Sequence, residues 1–519
     1  MRPADILRLD FATIPQLLRA HAHLQPEQVA LIHDGRRILY STLDQMADRI
    51  AAALQRDGLM PRDLVAIAAA TTIDYVAIFL GGLRAGVAVA PLPMASGSRA
   101  LAAMIADTAA RKLFLDRAAA AALADGVGAT TAPTIVIDAP GDLQRWMMEA
   151  GSVPKSVDVR ADWPFNVIYS SGTTGVPKGI VQPHAFRWSN VQRAVTYGYG
   201  PDCVTLLATP LYSNTTLATL FGVIAVGGTA VLMGKFNTDS YLTLAQDCRA
   251  THTVLVPVQY QRLLANENFD EYDLSSFRMK FSTGAPFAPA LKQQVLERWP
   301  GGLMEIYGMT EGGGACMLEA HRHRTKLHTV GTPMLRNEIR LIDAADREVA
   351  AGETGEVVGR SPAMMTGYLN QPSKTAEAEW RDSRGERFIR TGDIGRMDGD
   401  GFLVLLDRKK DMIISGGFNV YPCDLEAVLR EHPAILEAAV VGVASARWGE
   451  TPVACVVLND GADMEAAGLT VWANERLGKM QRLAAVRIMT SLPRNAAGKI
   501  LKGELRDSFV QTPPANPED

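Results

Sequence analysis

Apolar residues along the chain fall into short unbroken runs separated by amphipathic stretches, a rhythm that predicts strands alternating with helices. Residues 11 to 60 predict a helix with an Ala/Leu/His face, two short strands around Val29–Ile32 and Arg37–Tyr40, and a helix from Ser41 to near Gly58. Leu64–Ala68 then reads as a buried strand. Alternation continues with a helix near Tyr75 to Ala85, a strand near Val87 to Ala90, a helix near Arg99 to Ala109 and a strand near Lys112 to Leu115. An alanine-rich helix through 117 to 125 and a strand near Thr134 to Ile137 follow. The pattern resumes at Phe165–Ile168, Val204–Ala208, Val231, Val254–Val256 and Met279–Ser282. Strands apolar on both faces and separated by helices indicate parallel sheets covered on both sides. The expected fold class is α/β, with ligands at the carboxyl ends of the strands.

The stretch Cys203 to Gly234 carries no charged residue and has to be weighed as a membrane span. Pro210, Ser213, Asn214 and Gly227–Gly228 interrupt it, whereas a spanning helix needs about 20 continuous apolar residues. A buried helix followed by a core strand at Thr229–Met233 is the expectation, with no membrane span.

At 519 residues the chain exceeds what one core organises, so two or more domains are expected. A net charge of −4 argues against a nucleic-acid partner, whose phosphates demand clustered positive charge. A small-molecule partner is expected. The five cysteines, Cys203, Cys248, Cys316, Cys423 and Cys455, form no C-x-x-C pair, and an odd count fits a reducing compartment, the cytoplasm. Met1–Asp5 carries an early acid and no apolar run follows, so a secretion signal is not expected.

Tyr169-Ser170-Ser171-Gly172-Thr173-Thr174-Gly175-Val176-Pro177-Lys178-Gly179 concentrates hydroxyls, glycines and a lysine behind a strand. Glycines bring backbone N–H groups close to an anion and the lysine adds positive charge, so this reads as a phosphate cradle. It is not a Walker loop, because Pro177 and Gly179 flank Lys178 where that loop has Gly and Ser/Thr. Further on, Ser282-Thr283-Gly284-Ala285-Pro286 follows one strand and Tyr307-Gly308-Met309-Thr310-Glu311-Gly312 another. An aromatic beside glycines stacks on a flat ring, a threonine donates to phosphate, and a carboxylate holds a hard cation. Arg390-Thr391-Gly392-Asp393 offers a carboxylate suited to a vicinal diol, and Asp407-Arg408-Lys409-Lys410-Asp411 comes soon after. Ile413–Pro422 gives a strand, a glycine turn and a helix starting near Asp424, and Pro493–Ile500 sets Lys499 on a Gly-containing loop.

In this order the set resembles the adenylate-forming superfamily of acyl-CoA synthetases, firefly luciferase and the adenylation domains of nonribosomal peptide synthetases, over nearly the whole chain. The resemblance implies an AMP-forming acyl-CoA synthetase that uses ATP, Mg²⁺ and coenzyme A to turn a carboxylic acid into an acyl adenylate and then a thioester. It implies a large N-terminal domain of stacked α/β subdomains, 1–409, a hinge at Lys410 and a small mobile α+β lid, 411–519. Ser170, Ser171, Gly172, Thr173, Thr174, Gly175 and Lys178 would hold the β- and γ-phosphates. Gly284, Ala285, Pro286 and Tyr307 would sandwich adenine, and Asp393 with Arg408 would hold the ribose. Thr310 would touch the α-phosphate, Glu311 the magnesium, and Lys499 both the acid and the α-phosphate. Gly416–Gly417 would border the pantetheine tunnel, and Trp448 would contact coenzyme A.

The same resemblance lines an acid pocket from Tyr212, Ser213, Asn214 and Thr215, with Gly308, Met309, Gly314 and Val330. Its polar handles suggest an aryl or hydroxycinnamate-like acid, and a short- to medium-chain aliphatic acid second. The chain departs from relatives at Ser213, where an aromatic–histidine pair is usual, and at Lys479–Leu483, where lysine and proline are common. Loading of a carrier protein is the alternative activity; the absence of an acid between Cys203 and Gly234 speaks against an amino-acid substrate. A non-catalytic nucleotide sensor is disfavoured by the retained Lys178, Glu311, Asp393, Arg408 and Lys499. A homodimer is compatible with this reading. His321 and His323 read as a solvated loop, and His184 and His252 as scaffold.

Overall fold

The computed structural model describes residues 1–94, 97–124, 132–170, 178–415, 418–445, 447–478, 481–494 and 500–511, with Ser170, Phe418, Asn419, Val510 and Gln511 described by backbone alone. It divides into two compact units, the first of residues 1–338 with 359–389 and the second of 339–358 with 390–519.

The first unit is built on two large mixed sheets. One has the strand order Thr332–Pro333, Cys316–Glu319, Gly302–Tyr307, Met279–Thr283, His252–Leu255, Val204–Leu207, Thr229–Leu232, Val29–His33, Arg36–Leu39. The other runs Gly367–Tyr368, Lys178–Pro183, Pro164–Ser170, Ala88–Pro91, Leu64–Ala68, Lys112–Leu115, Thr134–Val136. The central strands pair in parallel, as their unbroken apolar runs require. Strands that close the sheets depart from that expectation. Val29–His33 with Arg36–Leu39, Gly302–Tyr307 with Cys316–Glu319, and Pro164–Ser170 with Lys178–Pro183 are antiparallel. Short connections explain the difference, because a parallel return needs a crossover of a dozen or more residues.

The uncharged stretch forms the helix Asn214–Val226, which ends at Gly227 in the left-handed conformation and turns into the buried strand Thr229–Leu232. Among the described residues no helix is long and apolar enough to cross a membrane. Ile73–Arg84 is buried along nearly its whole length, capped by the Thr72 hydroxyl accepting from the Tyr75 N–H at 3.2 Å. Arg84, in its last turn, is neutralised by Asp44 and by Asp48 at 2.9 Å.

The second unit holds a sheet of Phe418–Val420, Ile413–Ser415, Gly449–Leu458 and Ile435–Ser445, with Ala485–Ile488 added in parallel beside Gly449–Leu458. Leu425, Leu429, Leu469 and Ala473 pack into one small core of this unit, and Leu505 and Phe509 into another.

Candidate active site

The segment 171–177 lies outside the described residues, and with it Ser171, Gly172, Thr173, Thr174 and Gly175. Its two ends are fixed. Ser170 and Lys178 face each other across the antiparallel ladder, so the segment connects two hydrogen-bonded strands. Tyr169 anchors the first strand through its hydroxyl, which donates to Asp107 Oδ2 at 2.6 Å.

Lys178 Nζ stands 5.2 Å from the centre of the Tyr368 ring. The Tyr368 hydroxyl donates to Glu311 Oε1 at 2.8 Å. Burial, reinforced by the Glu311 carboxylate, pushes the Tyr368 phenol well above its ordinary range, so it remains a donor. The structure therefore brings Lys178, Glu311 and Tyr368 together; nothing in the local sequence marks Tyr368, which sits in the two-residue strand Gly367–Tyr368.

Glu311 is held by its backbone as well, its carbonyl accepting from the Met365 N–H at 2.8 Å. Thr310 is held by Gln182, whose Nε2 donates to the Thr310 carbonyl at 2.7 Å. Gly312 lets this turn approach the chain opposite. It has φ +77°, and a Cβ there would sit 1.7 Å from the Ala363 carbonyl oxygen.

The turn fits a magnesium ion. Glu311 keeps one oxygen beyond the Tyr368 bond, and Mg²⁺ is commonly held by one or two carboxylates plus substrate phosphates. Among the described residues there is no group of three or more His, Cys, Asp or Glu that would hold a metal alone.

Gly284, Ala285 and Pro286 leave the end of Met279–Thr283, and Tyr307 ends the neighbouring strand, with Thr283 opposite Ile306. These residues thus emerge side by side at the carboxyl edge. Gly284 has φ +88°, and a Cβ there would meet only Val256 Cγ1 at 3.9 Å. Tyr212, Ser213, Asn214 and Thr215 sit half-buried at the start of the helix Asn214–Val226. Gly308 is exposed, Met309 and Val330 are half-buried, and Gly314 is buried.

Beneath Asn214 lies a polar network that the sequence reading missed. Asn214 Oδ1 accepts from Arg187 Nη2 at 3.0 Å and from Gln182 Nε2 at 3.1 Å.

In the second unit Arg408 Nε pairs with Asp393 Oδ1 at 2.8 Å across the hairpin of Arg387–Met397 with Leu403–Arg408. The Asp393 N–H donates to Thr391 Oγ1 at 3.0 Å, so the Thr-Gly-Asp turn is braced from within. Lys410 is exposed and follows Lys409, whose ammonium pairs with Glu356 at 2.8 Å. Trp448 is 42 % exposed, with the Arg447 guanidinium 4.9 Å from its ring centre. Gly416, Gly417 and Lys499 lie outside the described residues.

Residues 18–369 match the family model described as AMP-binding enzyme, and residues 424–499 match the AMP-binding enzyme C-terminal domain. A feruloyl-CoA synthase from Amycolatopsis is 32% identical over 493 residues, covering 94% of this chain and 97% of the relative. An indoleacetate–CoA ligase from Aromatoleum aromaticum is 31% identical, covering 94% of this chain and 96% of the relative. Among solved structures, an amide bond synthetase from Marinactinospora thermotolerans superposes with a TM-score of 0.85 at 30% identity, covering 96% of this chain and all of the other. The carboxyl-edge site, the Thr310–Glu311 turn and these likenesses agree, and the chain belongs to the AMP-binding enzyme family of adenylate-forming enzymes.

Proposed function

We propose that the chain is an ATP-dependent, AMP-forming acid–CoA ligase. The observation that carries this reading is the convergence of Lys178, Glu311 and the Thr310 turn on one edge of the large unit. A carboxylate oxygen of the acid attacks the α-phosphorus of ATP, and the bond from that phosphorus to the pyrophosphate oxygen breaks. The thiolate of coenzyme A then attacks the activated carbonyl, and AMP departs with the oxygen that came from the acid. Lys178 and the segment 170–175 bind the departing pyrophosphate, and Thr310 orients the α-phosphate. Glu311 would hold a magnesium ion, which supplies charge neutralisation on the phosphates. Asp393 and Arg408 hold the ribose, and Lys499 places positive charge where it develops on the acid and the α-phosphate. Gly284, Ala285, Pro286 and Tyr307 stack adenine, Gly416, Gly417 and Trp448 receive coenzyme A, and Lys410 is the pivot between the two half-reactions.

The acid is aryl or hydroxycinnamate-like. Relatives named for feruloyl, indoleacetate and 4-coumarate substrates support this class, and an aliphatic acid is the second reading. The five scattered cysteines support a reducing cytoplasm, and a homodimer is the assembly to test by light scattering. Incubation with ATP, Mg²⁺, coenzyme A and an acid panel should give AMP and an acyl-CoA identified by mass. AMP release with no thioester would redirect the assignment to another acceptor, such as the carrier protein served by the fatty acid–[acyl-carrier-protein] ligase of Streptomyces coeruleorubidus, a 31% identical relative.

A further inference from the structure

Arg187 is fully buried, and burial pulls its pKa down to about 9, which leaves it cationic at neutral pH. Among the described residues no carboxylate pairs with it. Its face lies against the rings of Phe165, Phe186 and Phe221 at 5.5, 5.5 and 5.9 Å. Nη2 alone does the polar work, donating to Asn166 Oδ1 at 3.1 Å, Gln182 Oε1 at 2.8 Å and Asn214 Oδ1 at 3.0 Å. Nε and Nη1 have no hydrogen-bond partner among the described residues. A buried cation without a counter-ion is costly, and an aliphatic side chain would fill the same space with less penalty.

The network fixes the orientation of every amide in it. The Thr310 carbonyl only accepts, so the Gln182 group facing it at 2.7 Å is the NH₂. Arg187 only donates, so the atoms facing Nη2 on Asn166, Gln182 and Asn214 are oxygens. Asn214 therefore has its oxygen clamped between two donors, Arg187 and Gln182. Its NH₂ is turned away from both, is half-buried at the start of its helix, and has no partner among the described residues. The guanidinium behind it polarises the amide and strengthens the N–H as a donor.

We infer that Asn214 is a specificity-determining residue, whose amide NH₂, held in place by Arg187 and Gln182, donates to an oxygen of the bound acid. This rests on the reading that the start of the helix Asn214–Val226 faces the acid. The oxygen is either a substituent such as a hydroxyl, methoxyl or keto group, or one of the acid's own carboxylate. A substrate placing an ammonium there is rejected by the donor and by the cation behind it.

The test uses the full chain with two matched acid pairs, 4-hydroxycinnamate against cinnamate and 8-hydroxyoctanoate against octanoate, with AMP release as the readout. For Asn214→Leu the preference for the oxygenated acid should fall about tenfold if the oxygen is a substituent. If it belongs to the carboxylate, KM for both acids should rise about tenfold while KM for ATP stays within about twofold. Asn214→Asp keeps the shape and the Arg187 contact but replaces the donor by an acceptor; with 4-methoxycinnamate, whose ether oxygen only accepts, the preference over cinnamate should fall as in the leucine variant. Both readouts are independent of the fraction of enzyme that folds. Unchanged preference and unchanged acid KM, or an equal rise in the KM for ATP, would overturn the inference. AMP without acyl-CoA would instead sink the coenzyme A reading and leave this measurement intact.

Discussion

Tyr368 joins the two charges at the phosphate end of the site, with its hydroxyl on Glu311 and its ring beside Lys178. Tyr368→Phe keeps the ring and removes one hydrogen bond to a carboxylate, an interaction worth about 1.5–3 kcal/mol at most. The expected result is a rise of about three- to tenfold in the Mg²⁺ concentration for half-maximal AMP release, with unfolding temperature little changed. An unaltered Mg²⁺ dependence would separate Tyr368 from the metal. Asp393→Ala removes the proposed diol acceptor and leaves Arg408 without its 2.8 Å partner. It should raise the KM for ATP by about tenfold or more while the KM for the acid stays put.

Candidate site residues can be read from sequence where their chemistry is carried by type and neighbours. Thr310, Glu311, Asp393 and Arg408 stand out as candidates in short motifs. Tyr368, Gln182 and Arg187 do not, because their roles come from distant partners: Tyr368 meets Glu311 across 57 positions and Gln182 meets Thr310 across 128. An arginine in a helix with a low apolar content reads locally as a solvated side chain, and only the packing of Phe165 and Phe221 around it reveals burial.

The strand Lys178–Pro183 illustrates the same limit one level up. Its sequence, Lys-Gly-Ile-Val-Gln-Pro, mixes poor strand formers with two β-branched residues, and its pairing is imposed by Pro164–Ser170 on one side and Gly367–Tyr368 on the other. The strands Leu64–Ala68 and Val204–Leu207 were legible because burial on both faces leaves mostly apolar residues, Thr205 being the exception. The Thr310–Gly312 turn depends on the close approach at Gly312. Gly312→Ala would force a methyl into the Ala363 carbonyl and a side chain into a φ of +77°. The turn should shift, lowering AMP release by about tenfold or more and stability by about 1–3 kcal/mol, read together by assay and thermal unfolding. Full activity in that variant would mean that the turn does not position Thr310 and Glu311.

The alternation of helices and strands, the parallel centre of both sheets and a separate C-terminal part were all foreseeable from periodicity and motif order. Residues 339–358 group with 390–519 in the second compact unit, a grouping set by contacts far apart along the chain. Across the molecule, burial also sets a pH response. It pulls His184 and His252 down to about 4, and both are scaffold groups. Each is about 6.5 when unfolded, so the stability they contribute is fully present above pH 6.5 and is lost as pH falls toward 4. Each contributes a slope approaching 1.4 kcal/mol per pH unit within that window. The unfolding temperature should therefore drop steeply from pH 6.5 to 5, and His252→Phe should flatten the decline; a profile flat to pH 5 would contradict the burial of these rings.

The adenylate route itself is tested most directly by oxygen transfer. With the acid labelled with ¹⁸O in its carboxyl group and supplied with ATP, Mg²⁺ and coenzyme A, one ¹⁸O atom should appear in the AMP, with pyrophosphate unlabelled. Label in inorganic phosphate, with ADP as the nucleotide product, would contradict it.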